Sequence, residues 1–396
     1  MSVAALSGVK VVEFAHVIAG PLAGTLMADL GAEVVHVEDP EVGDPGRQQG
    51  PAKNGVHLWW KVSARNKRSV TLNLRTPDGQ AVARQLVEWA DVVITNFRID
   101  TLRKWGLDWN AIHALNPRAV MLQITGNGAT ATDYNAPGFG KVGEARSGVV
   151  HITGFPDGPP IHTGFSHADT TTALMGAYAV TAALVRRHEP DFDGEWIDLA
   201  LNETLFRLIE WQIIFYDQFG ASPDRAGNQM AVAPGAVVNT YLTADNTWIT
   251  VTSATPRSVR NIAELLGEPL TNYETTTQQA QHKDRLDQLL TTWIARRTAD
   301  ECLSAMTALE VVASRIYNAE DITNDITYAE RDNIITITDP DLGPVRMQNV
   351  IPKLRQHPTA IWRTGPALGQ DNALVYHHWL GIPTHRLTQL HEQGTI

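Results

Sequence analysis

The chain has 396 residues, of which 43% are apolar and 19% are charged, and these fractions exclude fibrous and intrinsically disordered proteins. At roughly 150 residues per domain, the length allows two or three domains. Acidic residues outnumber basic ones by 43 to 32, which gives a formal net charge of −11. This charge argues against nucleic acid or an anionic membrane surface as a partner, although it leaves room for a local basic site.

Cysteine content and the lengths of apolar runs bear on the compartment. Cys302 is the only cysteine, which excludes an intramolecular disulfide and a cysteine-based metal cage. The N-terminal residues show no basic segment followed by a long apolar run, and no stretch approaches about 18 consecutive apolar residues. We therefore expect a soluble, unprocessed protein of the cytoplasm with no membrane partner.

The first 130 residues alternate between strand and helix patterns. In chain order we predict strand 9–14, helix 21–30, strand 33–38, strand 69–74, helix 77–89, strand 91–95 and strand 119–125. Gly31 ends the first helix, and Thr76 precedes the second, which begins with Pro77. Strands that alternate with helices in this way predict an α/β fold with a mostly parallel, Rossmann-like sheet.

The second half of the chain has a different organisation. A helix at 168–188 is rich in Ala and Gly and is expected to pack very closely against its neighbours. A strand and helix follow at 196–219, and the Gly-, Pro- and Asp-rich segment after them is typical of a linker. Strands at 237–242 and 247–253, followed by a helix at 285–297, predict a smaller α+β domain. The resulting division is 1–219, linker 220–234, small domain 235–330, and a loop-rich return segment with a short final helix, 331–396.

One segment matches the residue pattern of a dinucleotide-binding fingerprint but lacks the helix that should follow it. Residues 126–131 match G-x-G-x-x-A directly after a predicted strand. That fingerprint requires a helix whose N-terminus faces the pyrophosphate, but residues 132–138 contain Pro and Gly and should not be helical. We therefore reject a nicotinamide cofactor.

Two further catalytic patterns are weak. Residues 164–168 approximate the G-x-S-x-G nucleophile elbow, but Ala168 replaces the last glycine and no strand leads into the segment. A serine hydrolase and a simple loop before a helix, with Ser166 or Asp169 as the cap, both remain open. The histidines have no metal-ligand spacing, so we predict no metal site.

Basic residues are concentrated at 61–75, a segment without a single acidic residue. They are Lys61, Arg65, Lys67, Arg68 and Arg75. Such groups form charge-assisted hydrogen bonds with phosphate, but a solvated protein surface explains them equally well. On residue chemistry alone the two interpretations remain open.

Short motifs along nearly the whole chain, in a specific order, resemble one family. They are GVKVVEF (8–14), AGP (19–21), ADLGAEVV (28–35), a turn at 38–44, NKRS (66–69), TNFR (95–98), WGL (105–107), NP (116–117), GFPDGPP (154–160), ALGQ (367–370) and LG (380–381). Asp169 opens the Ala- and Gly-rich helix between them. Together they resemble the class III CoA-transferases of the CaiB/BaiF type, a family that includes formyl-CoA transferases, carnitine CoA-transferases and α-methylacyl-CoA racemases.

The resemblance implies a covalent mechanism that uses Asp169. The carboxylate would attack an acyl-CoA thioester to give a mixed anhydride and CoA thiolate, and an aspartyl-CoA thioester would then pass CoA to an acceptor acid. A position at a helix N-terminus suits this role, because the helix dipole favours an ionised carboxylate. The nucleophile and helix-cap interpretations of Asp169 are compatible.

The resemblance also implies the remaining site, the partners and the assembly. CoA would be a substrate and not a permanently bound cofactor, and a small carboxylic acid would be the second substrate. The CoA-binding residues would be His16, Val17 and Ala19 at the thiol end, and Arg75, Asn96, Phe97, Arg98, Arg103 and Lys104 around the nucleotide and its phosphates. Lys67 and Arg68 belong to a family motif, and the match favours ligand binding by the basic segment. The family fold is a large domain built from both chain ends, a smaller inserted domain, and two subunits interlocked as a homodimer.

Departures from the family pattern limit the choice of substrate. Formyl-CoA transferases carry glutamine at the position of Ile18 and tyrosine at that of Phe139, so formate–oxalate exchange is not expected. Racemases need a histidine in the segment matching 137–140, and none is present. Asp39 stands where some relatives place an arginine near the adenine. The prediction is a CoA-transferase with Ile18 and Phe139 in the substrate pocket; the alternatives are an acyl-CoA racemase and a non-catalytic acyl-CoA-binding protein.

Overall fold

The computed structural model describes residues 4–230 and 232–396, which form two compact units. The first unit consists of residues 4–149, Thr163–Ile209 and Thr327–Ile396, so it contains both ends of the described chain. The second unit consists of Val150–His162 and Glu210–Ile326. It thus begins earlier than the predicted small domain and also includes 150–162. The reason is local: the Arg225 guanidinium donates hydrogen bonds to carbonyl oxygens of His151, Phe155 and Gly158, which tie the predicted linker to that segment.

The strands and helices alternate through most of the chain. The strands are β1 (Lys10–Phe14), β2 (Glu33–Glu38), β3 (Ala52–Lys53), β4 (Val56–His57), β5 (Arg68–Thr71), β6 (Val92–Thr95), β7 (Val120–Thr125), β8 (Glu195–Ala200), β9 (Val237–Leu242), β10 (Trp248–Ser253), β11 (Ala313–Arg315), β12 (Ile334–Asp339) and β13 (Gly343–Gln348).

The α-helices are α1 (Ala19–Asp29), α2 (Leu58–Ser63), α3 (Pro77–Trp89), α4 (Ile99–Trp105), α5 (Trp109–Leu115), α6 (Gly140–Arg146), α7 (His167–Arg186), α8 (Glu203–Leu208), α9 (Trp211–Phe219), α10 (Pro256–Leu265), α11 (Thr276–Ile294), α12 (Ala299–Ala308), α13 (Ala319–Asn324), α14 (Ile326–Glu330) and α15 (Thr384–Glu392). Short 3₁₀ helices lie at Pro45–Gln48 and Leu270–Tyr273, and a π-helix at Ala373–Trp379. Among the described residues, no helix is both long and apolar enough to cross a membrane.

The first unit is built on a six-stranded, all-parallel sheet with the strand order β5-β2-β1-β6-β7-β8. Neighbouring apolar residues in the strands point to opposite faces: Val11 and Val92 contribute to one core cluster, Val12 and Val93 to the other. Counted along the chain, the six strands follow the order 3-2-1-4-5-6 of the doubly wound dinucleotide-binding sheet. The α/β fold with a parallel central sheet, predicted from the sequence, is confirmed.

Helix α7 packs closely on the sheet, as its small residues predict. A Cβ built on Gly176 would lie 2.7 Å from the Leu122 Cδ2 of β7, so a larger residue would have to displace the buried Leu122 side chain. The opposite side of α7 exposes a row of large apolar residues, Leu174, Tyr178 and Val185. Their spacing of four and seven residues places them on one face of the helix.

The C-terminal segment closes the edge of the parallel sheet. The Tyr376 hydroxyl donates a hydrogen bond of 2.8 Å to the Thr71 carbonyl oxygen of β5, and the Asn372 Oδ1 accepts one of 2.9 Å from the Thr71 N–H. Val375 and Tyr376 are fully buried in the same core cluster as β1 and β2.

The second unit has its own core and antiparallel sheet. Its strands pair in the order β11-β10-β9, and α10, α11 and α12 supply most of the other buried apolar side chains. Ile249 and Val251 of β10 pack with Leu286 and Leu290 of α11.

Candidate active site

A cavity of about 790 Å³ lies in the first unit at the carboxyl ends of β1 and β6. These strands are neighbours at the point where the strand order reverses, which is where doubly wound sheets bind ligands. The residues that line the cavity are His16, Val17, Ile18, Ala19, Pro45, Gln49, Asn96, Phe97, Arg98, Thr101, Ile124, Thr125, Gly126, Tyr134, Ala136, Pro137, Gly138, Phe139, Gly140, Lys141, Ser166, Asp169 and Leu201.

The turn after β1 is held by side chains from other parts of the sheet. Asn96, which follows β6, accepts a hydrogen bond of 2.9 Å from the His16 N–H through Oδ1 and donates one of 2.8 Å to the His16 carbonyl oxygen. The Val17 N–H donates to the carboxylate of Asp44, 2.9 Å from Oδ1. These bonds fix the part of the cavity wall that contains His16, Val17 and Ile18.

Asp169 lies in the first turn of α7 and is half-buried. Its carboxylate abuts Gly140 at the start of α6: a Cβ built on that glycine would lie 2.7 Å from the Asp169 Cγ and closer still to Oδ2. Within residues 4–230 and 232–396, no group donates a hydrogen bond to this carboxylate. Ser166 occupies the N-cap position, but its side chain makes no capping hydrogen bond, so neither residue acts as the expected side-chain cap.

The pKa of Asp169 is raised to about 6. Burial is the main cause, the nearby negative charge of Glu144 adds to it, and the positive charge of Lys141 opposes it. At neutral pH the carboxylate is therefore still mostly ionised, yet it is poorly solvated and not engaged by a hydrogen-bond donor. This is the condition in which a carboxylate is an effective nucleophile.

Glu144 and Lys141 fix the start of α7. The buried Glu144 carboxylate accepts a hydrogen bond of 3.0 Å from the His167 N–H. It also forms an ion pair with Lys141, whose Nζ lies 3.0 Å from Oε1. Lys141 also donates to the carbonyl oxygens of Thr163 and Phe165, at 2.9 and 2.8 Å. The first turn of α7 is thus tied to α6 and to the loop before it.

A second, smaller cavity of about 230 Å³ shares His16, Pro45 and Phe97 with the first. His16 stacks on Phe97 at 4.7 Å between ring centroids, and burial lowers the pKa of its imidazole. Arg75 also lines this cavity, and its guanidinium is paired with Asp39 at 2.8 Å.

The structure therefore brings most of the predicted site residues together. Those that line the larger cavity are His16, Val17, Ile18, Ala19, Asn96, Phe97, Arg98, Phe139 and Asp169. Arg75 lines the adjoining one. In the described part of the chain, Arg103 and Lys104 line neither cavity; Arg103 is paired with Asp100 at 3.0 Å, and both lie on α4 after Arg98.

The basic segment 61–75 is not one phosphate site, which corrects that interpretation of the cluster. Lys61, Arg65 and Lys67 are buried, and each forms an ion pair within the protein. The partners are Asp339 and Asp341 for Lys61, Asp29 for Arg65 and Glu13 for Lys67. Arg68 stacks over Trp362 and pairs with Asp371. Burial with acidic partners leaves Lys61, Arg65 and Lys67 no free charge for a phosphate. Among the basic residues of the segment, Arg75 lines the small cavity next to the candidate site, whereas Arg68 lines a separate cavity of about 260 Å³.

Sequence reasoning missed Gly140, Lys141 and Glu144. All three lie in or shortly after the segment 137–140, whose family comparison concerns only Phe139 and a racemase histidine. The spacing of Lys141 and Glu144 on a helical turn was a usable signal for an ion pair. The approach of Gly140 to Asp169 left no sequence signal, because it depends on how α6 and α7 pack.

Known proteins are similar to this chain in both sequence and fold. A family profile described as CoA-transferase family III matches residues 6–372. A Succinyl-CoA--D-citramalate CoA-transferase of Chloroflexus aurantiacus is 40% identical over 99% of this chain and 98% of its own. A Succinate--glutarate CoA-transferase of Agrobacterium fabrum is 33% identical over 93% of this chain and 94% of its own. The solved structure of a CAIB/BAIF family protein from Brucella suis has a TM-score of 0.82 and 29% identity, and covers 96% of this chain and 100% of its own.

The match spans most of the chain, and both of these relatives are themselves named CoA-transferases. The chain belongs to CoA-transferase family III and is a class III CoA-transferase, an enzyme class that uses CoA thioesters as substrates.

Proposed function

We propose that the enzyme transfers CoA from succinyl-CoA to a small dicarboxylic or hydroxydicarboxylic acid, with Asp169 as the covalent nucleophile. The observation that carries the mechanism is the half-buried Asp169 carboxylate, which faces a cavity of about 790 Å³ and accepts no hydrogen bond from any residue that the structure describes. The substrate class rests on the relatives, since those at 40% and 33% identity are named for succinyl or succinate and for citramalate or glutarate.

The proposed reaction consists of four exchanges at carbonyl carbons. A carboxylate oxygen of Asp169 attacks the thioester, the C–S bond breaks, and CoA thiolate leaves a mixed anhydride. The thiolate then attacks the aspartyl carbonyl and releases the donor acid, which leaves an aspartyl-CoA thioester. The acceptor carboxylate displaces the thiolate to form a second anhydride, and the thiolate finally attacks the acceptor carbonyl, which restores the Asp169 carboxylate. No proton or electron is gained or lost.

The cavities suit an acyl-CoA substrate. The cavity wall near Asp169 includes the apolar side chains of Val17, Ile18 and Phe139. An apolar wall of this kind suits a short acyl chain and the pantetheine arm of CoA. Arg98 lines the same cavity, and no acidic group among the described residues pairs with it, so its charge is available to phosphate. Arg75 in the adjoining cavity, with Arg103 and Lys104 further along α4, would lie towards the nucleotide; to bind phosphate, Arg75 and Arg103 would exchange their ion pairs with Asp39 and Asp100 for phosphate oxygens. CoA enters and leaves as substrate.

We propose further that the enzyme is an interlocked homodimer. The exposed row of Leu174, Tyr178 and Val185 on α7 supports this, because contiguous apolar surface on a soluble enzyme is usually covered by another subunit. Sedimentation analysis tests the assembly: a monomer at micromolar concentration would contradict it.

The nucleophile is tested by Asp169→Ala, with the exposed Asp191→Ala after α7 as the matched control. We expect transfer from succinyl-CoA to citramalate to fall by about 10³-fold or more, and CoA binding to remain, because only the covalent steps are removed. Asp191→Ala should match the wild type. Full transfer by Asp169→Ala would refute the assignment. Exchange of the α-hydrogen of an acyl-CoA in deuterated water, without transfer, would indicate a racemase instead.

A further inference from the structure

The turn after β1 contains a residue in an unfavourable backbone conformation. Val17 has φ 67, in the left-handed region that β-branched residues strongly disfavour. The same residue lines the cavity that contains Asp169. A conformation of this kind persists only where surrounding groups hold it, and such residues are concentrated at functional sites.

Asp44 is the group that holds this turn. Its buried carboxylate accepts hydrogen bonds from the Val17 N–H at 2.9 Å to Oδ1 and 3.2 Å to Oδ2, and from the Gly46 N–H at 2.7 Å. A carboxylate with several N–H donors forms charge-assisted bonds, which are stronger than neutral ones. Asp44 therefore couples the Val17 turn to the 3₁₀ helix Pro45–Gln48, whose Pro45 also lines the cavity.

His36 of β2 stands behind Asp44 and joins it to a second buried carboxylate. The His36 Nε2 lies 3.1 Å from the Asp44 Oδ2, and Nδ1 lies 2.8 Å from the Glu13 Oε2. An ionised carboxylate can only accept, so with both carboxylates ionised the two bonds form only when both ring nitrogens carry a proton, as in the imidazolium. Burial alone would lower the pKa of His36, but the hydrogen bonds with Asp44 and Glu13 outweigh it and raise the pKa to about 9.

Lys67 completes the chain of alternating charges. Its Nζ donates to both Glu13 oxygens at 2.9 Å and to the Pro21 carbonyl oxygen at 2.5 Å. Glycine at position 24 of α1 makes room for this arrangement, since a Cβ there would lie 2.5 Å from the Glu13 Cδ. All four ionised side chains, in the order Lys67, Glu13, His36 and Asp44, are at most 3% exposed.

We propose that His36 is a positioning residue of the CoA-transferase reaction: as an imidazolium between Glu13 and Asp44, it fixes the Asp44 carboxylate, which holds the strained Val17 turn against the acyl-CoA. The residue acts through Asp44 and does not touch the cavity itself. The inference rests on the proposed use of this cavity for acyl-CoA. Without His36, Glu13 and Asp44 lose the cation between them, and the turn loses its fixed acceptor.

The test compares His36→Gln and Asp44→Ala with Asp29→Asn. Asp29 is a suitable control because it is also buried in the first unit and also paired with a cation, Arg65 at 2.5 Å, but does not line the cavity. For each variant, the melting temperature, the Kd for CoA by calorimetry and the kcat of transfer from succinyl-CoA are measured. The wild type is also studied by ¹⁵N NMR of the histidine rings.

We expect all three variants to lose thermal stability, but only His36→Gln and Asp44→Ala to lose kcat, by about tenfold to a hundredfold, because misplacement near 1 Å has effects of that size. Two protonated ring nitrogens on His36 at neutral pH are expected in the wild type. If kcat and Kd change no more than in Asp29→Asn, or if the wild-type ring is neutral, the inference is wrong. The NMR measurement uses only the wild type, so a neutral His36 ring would overturn the inference even if the variants do not fold. Wild-type protein without any transfer activity would instead refute the proposed function.

Discussion

The contact between Gly140 and Asp169 makes the proposed nucleophile sensitive to a single methyl group. In Gly140→Ala the new Cβ would lie 2.7 Å from the Asp169 Cγ. Carbon atoms in contact are normally about 3.5 to 4.0 Å apart, so the carboxylate has to move by about 1 Å. A displacement of about 1 Å at a reacting group costs roughly a hundredfold in rate, or about 2.7 kcal/mol in the activation barrier.

Gly164→Ala is the matched control for this substitution. Gly164 lies in the loop just before α7, and a Cβ built on it meets no atom within 4 Å. We expect Gly140→Ala to lower kcat about a hundredfold, and Gly164→Ala to keep kcat near the wild-type value. The assay follows acceptor acyl-CoA by liquid chromatography, and circular dichroism confirms that both variants fold. A folded Gly140→Ala enzyme with wild-type kcat would refute the placement of Asp169 against α6.

Two further predictions concern charge in the cavity. The acid limb of the kcat/KM profile is expected near pH 6, because burial and Glu144 raise the pKa of Asp169 to about 6, and activity is lost as the pH falls and the carboxylate is protonated. Glu144→Gln should move this limb to lower pH and Lys141→Gln to higher pH; shifts in the same direction would contradict the proposed charges. Arg98→Gln should raise the KM for succinyl-CoA by about tenfold to a hundredfold with little change in kcat, since hydrogen bonds to charged groups contribute about 1.5 to 3 kcal/mol. An equal rise in KM for succinyl-pantetheine, which lacks the nucleotide phosphates, would exclude phosphate binding by Arg98.

Local sequence patterns were sufficient to predict much of the sheet and its helices. The predicted strand 33–38 and helix 77–89 coincide with Glu33–Glu38 and Pro77–Trp89. Their signals are local: Thr76 caps the helix by accepting from the Gly79 N–H, and Pro77 fits the first helical turn. Helix α11 shows where local patterns fail to predict a helix boundary, since the helix begins at Thr276 and not at 285 as predicted. Its first half is polar, and the capping box formed by Thr275 and Gln278 was overlooked.

Phosphate binding by the basic segment 61–75 was a wrong prediction, and no local sequence pattern could have prevented it. The acidic partners of its buried cations are distant in sequence, as with Asp29 for Arg65 and Glu13 for Lys67. Charge counted in a window treats such groups as free, whereas the folded chain pairs them. More of the residues that line the cavity were among the predicted site residues, because the family motifs flank the turn after β1 and include the residues after β6.

The residues beside the proposed nucleophile, Asp169, could not be predicted from the sequence, because they come together only through tertiary contacts. Asp169 was found from the family motif, but its raised pKa results from burial and from the neighbouring Glu144, and neither can be read from the segment around it. The expected effect of the helix dipole was in the opposite direction. In the folded protein, burial outweighs it, although the carboxylate stays mostly ionised at neutral pH.

The central claim is that CoA is transferred through a covalent bond to Asp169. The most direct measurement is to incubate the enzyme with succinyl-CoA, trap activated carboxylates with hydroxylamine or borohydride, and sequence the peptides by mass spectrometry. The account predicts a hydroxamate, or the reduced alcohol, at Asp169 alone, and none in Asp169→Ala. Active enzyme that transfers CoA but yields no modified Asp169, or carries the label on another carboxylate, would contradict it.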